Sequence, residues 1–92
     1  MKSLNWNTEK SVALNSSRGI CFEDVVFFIE RCDILDDYLH PNQKDYPGQR
    51  IMVINIANYA YLIPYVENDE ELFLKTIIPS RKATQKYLGE KS

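Results

Sequence analysis

Arg50-Ile51-Met52-Val53-Ile54-Asn55-Ile56-Ala57-Asn58-Tyr59-Ala60-Tyr61-Leu62-Ile63-Pro64-Tyr65-Val66 decides the fold. Two runs rich in β-branched and aromatic residues flank Ala57-Asn58, a pair short enough for a hairpin turn, so residues 50–56 and 59–66 read as paired antiparallel strands. Pro64 has no N–H to give to a ladder, which places that strand at a sheet edge there or gives it a bulge. Glu67-Asn68-Asp69-Glu70 is a second turn, and Glu71 to Ile78 reads as the third strand of a meander, ended by Pro79. Upstream, Ile34 to Leu39 reads as a further strand. His40 to Gln49 is a loop punctuated by Pro41, Pro47 and Gly48.

The flanks are helical. Asn7 is placed to cap a short amphipathic helix over 8–17, stopped by Gly19. Phe22, Val25, Val26, Phe28 and Ile29 form a helical stripe in a second helix, Cys21 to Glu30, with Glu23 and Asp24 in its first turn. Ser80 can cap a last helix that runs to about Leu88 before Gly89. Leu4-Asn5-Trp6 reads as an edge strand, with Trp6 as a packing anchor. The expected fold class is α+β: an antiparallel sheet of three to four strands, two N-terminal helices and one C-terminal helix, with the helices on one face of the sheet.

Ninety-two residues, 45% of them hydrophobic, make a single domain with one modest core and leave any site as a shallow surface groove. The formal net charge of −2 argues against non-specific nucleic-acid binding by the whole surface. The charge is segregated, however. Acids gather at Asp33, Asp36, Asp37 and at Glu67, Asp69, Glu70, Glu71, and bases gather at Lys75, Arg81, Lys82, Lys86 and Lys91. The tail face can therefore attract phosphate. Cys21 and Cys32 lack metal or redox spacing and read as small buried residues in a reducing compartment. With a single histidine besides, no metal or other cofactor is expected. No stretch is long and apolar enough to span a bilayer and residues 1–10 have no signal-peptide core, so a cytoplasmic protein is expected.

Two segments resemble the opening and closing motifs of the BrnT-type toxins, the toxin halves of bacterial type II toxin–antitoxin pairs. The first is Trp6-Asn7 with Lys10, Leu14, Arg18-Gly19-Ile20 and Phe22-Glu23-Asp24; the second is Ile77-Ile78 with Ser80-Arg81-Lys82-Ala83-Thr84. The chain departs from that pattern at Ser17-Arg18, where Lys-His is common. The resemblance implies a RelE-like ribonuclease fold and arrest of translation by cleavage of mRNA. It also implies neutralisation by a ribbon-helix-helix antitoxin dimer in a two-plus-two complex, with operator DNA reached only through the antitoxin.

Metal-free RNA cleavage needs a base for the 2′-hydroxyl, cations for the phosphorane and an acid for the leaving oxygen. His40 is the one side chain whose ordinary pKa lies near neutrality, and it sits where a strand passes into a loop; the bland alternative is a histidine bonded to backbone beside Pro41. Arg50, just after the loop, is expected to converge on it. Arg81 and Lys82 open the last helix, where backbone N–H groups favour an anion. The candidate catalytic residues are thus His40, Arg50 and Arg81, and the candidate RNA contacts are Lys10, Lys75, Lys82 and Lys86. Tyr59, Tyr61 and Tyr65 share one strand parity and would either stack bases or pack in the core. A non-catalytic antitoxin-binding module on the same fold is the alternative, motivated by the acidic balance and the absent Lys-His.

Overall fold

The structure of the protein, a computed structural model, describes residues 3–89; Lys91 of the basic tail lies outside the described residues. In chain order the elements are β1 (Ser3–Trp6), α1 (Thr8–Arg18), α2 (Phe22–Glu30), β2 (Ile34–Leu39), β3 (Arg50–Ile56), β4 (Tyr59–Glu67), β5 (Glu71–Leu74), β6 (Ile78–Pro79) and α3 (Arg81–Leu88). The α+β class and the three helices stand as read. The sheet is larger than expected, with six strands in the order β1-β5-β4-β3-β2 and β6 beside β4. It is also mixed, because β1 runs parallel to β5. None of the described helices is long and apolar enough to cross a membrane.

The hairpin forms where its sequence placed it. Ala57 (φ 53) and Asn58 (φ 66) are both left-handed, the backbone of a type I′ turn whose twist matches that of the flanking strands. Asn55 helps to set it, its side-chain oxygen accepting the Asn58 N–H at 3.0 Å. Pro64 explains why the third strand of the meander is broken in two. β4 pairs Tyr65 with Leu74 and Tyr61 with Pro79, so four steps on β4 face five on its partner. The extra residue is a bulge opposite Pro64, whose carbonyl accepts from the Lys75 N–H at 2.8 Å but which offers no N–H in return. Residues 75–77 therefore leave the ladder.

The helices do not share one face, and here the expectation is corrected. Leu14, Phe22 and Val25 of α1 and α2 pack on Met52, Ile54, Ile63, Tyr65, Leu74 and Ile77. Ala83 of α3 packs on Val53 and Ala60, on the other side, flanked by Tyr38, Leu62 and Tyr87. The reason lies in β3, where Ile51, Met52, Val53 and Ile54 are all buried: a strand apolar at both parities needs cover on both faces. Trp6 is the packing anchor it was read to be, stacked on Phe22 with ring centroids 6.0 Å apart.

The caps act as the sequence indicated. Asn7 accepts from the Lys10 N–H, Ser80 accepts from the Ala83 N–H, and Gly19 (φ 72) donates to the Asn15 carbonyl at the left-handed end of α1. Gly89 differs: its backbone is extended, and glycine is required there because a Cβ would lie 2.4 Å from the Gln85 carbonyl oxygen. The cysteines also differ from their reading. Cys21 is half-buried ahead of α2, and Cys32 is exposed in a left-handed turn (φ 64) between α2 and β2.

Ser11, the one buried polar side chain among the described residues, joins the two N-terminal helices. Its hydroxyl accepts from the Phe22 N–H at 3.0 Å and donates to Glu23 Oε1 at 2.8 Å. The Phe22 N–H opens a helix and has no intrahelical acceptor. Replacing Ser11 by Ala leaves it unsatisfied in a buried place, and the expected loss of stability in urea unfolding is about 1–3 kcal/mol.

Candidate functional site

The two faces of the sheet are unequally covered. α1 and α2 cover one of them apart from an apolar hollow of about 370 Å³ beside Met52, Tyr65 and Leu72, whereas α3, on the other, has only eight residues. It is fastened where β4 leaves the hairpin: the Ala60 N–H donates to Thr84 Oγ1 at 2.9 Å, and that hydroxyl donates to the Ser80 carbonyl at 2.7 Å. From there towards Pro64 the face is open, and two shallow hollows lie along it. Leu62 lines one and its register partner Ile78 lines the other, so the hollows adjoin across the β4–β6 pair.

The first hollow, of about 330 Å³, is bordered by Lys82, Lys86 and Tyr87 from α3 and by Asp36 and Tyr38 from β2. The Tyr87 hydroxyl donates to the Asp36 carboxylate, and the Asp37 N–H donates to Asp36 Oδ1 at 2.8 Å. These bonds, the Tyr87 one first, hold the Asp36 carboxyl below the usual carboxylate range. The same hydrogen bond leads the causes that push the Tyr87 phenol up to about 12.

The second hollow, of about 320 Å³, lies between the 40–49 loop and the bulge. His40, Tyr46 and Gln49 line it from the loop, Lys75 and Thr76 from the bulge, and Lys10 from the first turn of α1. No carboxylate of the described residues borders it. The loop is a closed network rather than a loose connection. Gln43 Nε2 donates to the carbonyls of His40 and Gln49 at 2.8 and 2.9 Å, and its side-chain oxygen accepts from the Gly48 N–H at 3.0 Å. Asn42 and Asp45 bond to each other, and the Tyr46 N–H donates to the Asn42 carbonyl at 3.0 Å. Gly48, at φ 76, closes the turn. The His40 and Tyr46 rings lie against each other, their centroids 4.4 Å apart and their planes tilted by 31°.

The residues expected to act together are divided by this arrangement. Lys10, His40 and Lys75 share the second hollow, and Lys82 and Lys86 share the first. His40 also meets its bland description, since its Nδ1 accepts from the Asn42 N–H at 3.0 Å. With that lone pair engaged, the neutral ring presents Nε2–H, a hydrogen-bond donor. Arg81 is exposed on the first turn of α3 and makes no ion pair among the described residues. Arg50 does not converge on His40, which corrects the sequence reading. It pairs with Tyr65, whereas the hollow is lined by Pro64, the next residue back and so on the opposite face. There Arg50 Nε lies 3.1 Å from Asp37 Oδ1 and donates to the Tyr65 hydroxyl at 3.2 Å, while that hydroxyl donates to Asp37 at 2.7 Å.

The tyrosine row resolves towards packing. Tyr65 is 2% exposed and Tyr61 packs against the same core, with Tyr59 edge-on to Tyr61 at 5.7 Å, so Tyr61 and Tyr65 are not a stacking surface. Tyr46, which is 46% exposed, was passed over because it lies in a stretch read only as loop punctuation. Its one sequence signal is an aromatic residue between polar turn formers. Asp36 and Tyr87 carried no signal, because their meeting spans 51 residues.

Burial first, and then the Asp37 bond, push the Tyr65 phenol from its ordinary 10.0 up to about 12. A raised folded-state pKa gives stability that is complete below pH 10.0 and lost as the pH rises through about 12, and Tyr87 has the same sign. Urea-unfolding free energy is therefore expected to fall across that window, and Tyr65→Phe should make the fall shallower; an unchanged slope would show that the phenol is not held in this way.

Comparison of the chain with protein-family models, with curated proteins and with solved structures gave no match.

Proposed function

We propose that the protein is the toxin of a bacterial type II toxin–antitoxin pair, built on a RelE-like version of the α+β fold and cleaving mRNA in the cytoplasm without a metal ion. The observation that carries this reading is the open face of the sheet. Four lysines, Lys10, Lys75, Lys82 and Lys86, border two adjoining hollows on a chain whose formal net charge is −2. Such focusing of positive charge on one groove draws a polyanion to that face alone.

The segments that resemble the toxin motifs also serve one another. Arg18 Nη1 donates to the Ile77 carbonyl at 2.5 Å, tying the opening motif to the closing one beside the bulge. Within the groove, the lysines and the exposed Arg81 would stabilise the phosphorane, and His40 would pass its Nε2 proton to the leaving 5′-oxygen. Asp36 borders the first hollow, and it would take the 2′-hydroxyl proton only as RNA displaces the Tyr87 hydroxyl, whose hydrogen bond otherwise lowers its basicity. Arg50 would support the fold through Asp37 and Tyr65 rather than touch RNA. The partner would be a ribbon-helix-helix antitoxin dimer, in a two-plus-two complex that alone reaches operator DNA.

A second reading is favoured by the engagement of both ring and guanidinium. With His40 Nδ1 bonded to backbone and Arg50 paired, the chain would be a non-catalytic antitoxin-binding module. Inducible expression separates the two. The expected result is growth arrest with fragmented RNA for the wild type, lost in Arg81→Ala and in the Lys10→Ala, Lys75→Ala double variant. Arg50→Ala should instead lower thermal stability and leave RNA affinity unchanged. Folded wild-type protein that neither arrests growth nor cuts RNA would overturn the ribonuclease reading in favour of the module.

A further inference from the structure

We infer that the Tyr46 ring, braced by His40, is a stacking platform for one unpaired base of single-stranded RNA, with the adjacent phosphates on Lys10 and Lys75. This rests on the RNA reading above and names the form of RNA that the groove takes. Three observations carry it. Tyr46 is 46% exposed although its loop is closed by the Gln43 side-chain amide. Its backbone is held on both sides, the N–H by the Asn42 carbonyl and the carbonyl by the Gln49 N–H, and its ring is backed by His40 at 4.4 Å. A ring fixed in this way and still open to solvent loses little freedom when a second ring covers it, which is what a stacking platform requires.

The second observation is the neighbourhood. The hollow that Tyr46 borders holds about 320 Å³ and, among the described residues, is lined by two lysines and no carboxylate, so a flat π system and its phosphates are served together. The third is His40. Its Nδ1 is taken by the Asn42 N–H, which leaves Nε2–H as a donor beside the Tyr46 ring, suited to a base carbonyl or a phosphate oxygen. An A-form duplex keeps its bases stacked on one another, so only an unpaired strand can supply one. The platform reads a π face, and so it is tolerant of base identity.

The test is equilibrium binding of a short 2′-O-methyl oligoribonucleotide, which cannot be cleaved through its 2′ position, to the wild-type protein. The comparison ligands are its blunt duplex and a strand with the same phosphates but abasic sugars. The single strand is expected to bind about tenfold or more tightly than either. Tyr46→Ala should bind the based strand only as well as the wild type binds the abasic one, while Tyr46→Phe keeps wild-type affinity. Lys75→Ala should reduce the slope of log K against log salt by about 0.7. The abasic strand tests the platform with no variant at all, so a misfolded Tyr46→Ala would not leave the matter open. Equal affinity for based and abasic strands, or for strand and duplex, overturns the inference. So does a wild type that binds none of them. Growth arrest and RNA cleavage are read separately, so a toxin that still cuts RNA while ignoring the base would lose the platform and keep its proposed function.

Discussion

β3 is buried on both of its faces, and most of the molecule is arranged to keep it so. Met52 and Ile54 look towards α1 and α2, and Val53 looks towards α3. A chain of this length can make one large cover and one small one. The large cover is the pair of N-terminal helices, joined through Ser11 and anchored by Phe22 on Trp6. The small one is an eight-residue helix, tied down by Thr84 at Ala60. The open groove on the α3 side is what remains when the second cover is too short for the face it protects.

Pro64 shapes that groove from beneath. A residue with an N–H at this position would let β5 and β6 run on as one strand. Without that donor the partner chain bulges, and Lys75 and Thr76 come to line the second hollow. The opposite wall is the 40–49 loop, whose side-chain amides satisfy its own backbone. A loop braced in this way can hold His40 and Tyr46 at fixed positions despite being exposed.

Charge follows the same division. The sheet face under α1 and α2 carries Asp37, neutralised by Arg50, and the groove face carries Asp36, held by Tyr87, among lysines. The alternation of a strand puts neighbouring aspartates on opposite sides of the sheet and gives them different company. A small acidic protein can therefore present a cationic groove without becoming basic overall.

The sequence by itself determined what local chemistry controls. The hairpin at Ala57-Asn58, the caps at Asn7 and Ser80, the stop at Gly19, and the bulge or edge implied by Pro64 all depend on residues within a few positions of one another. The continuous apolar run from Ile51 to Ile54 also contained the need for a second cover, although the helices were expected on one face of the sheet. The tertiary structure decided the rest, because it depends on register and on distant partners. Only strand pairing shows that β1 joins β5 in parallel, that Arg50 and His40 are separated by the thickness of the sheet, and that Asp36 meets Tyr87. A shift of one residue in a strand moves every side chain to the other face, so a candidate site assembled from neighbours in sequence can be divided by a sheet that the sequence alone does not orient.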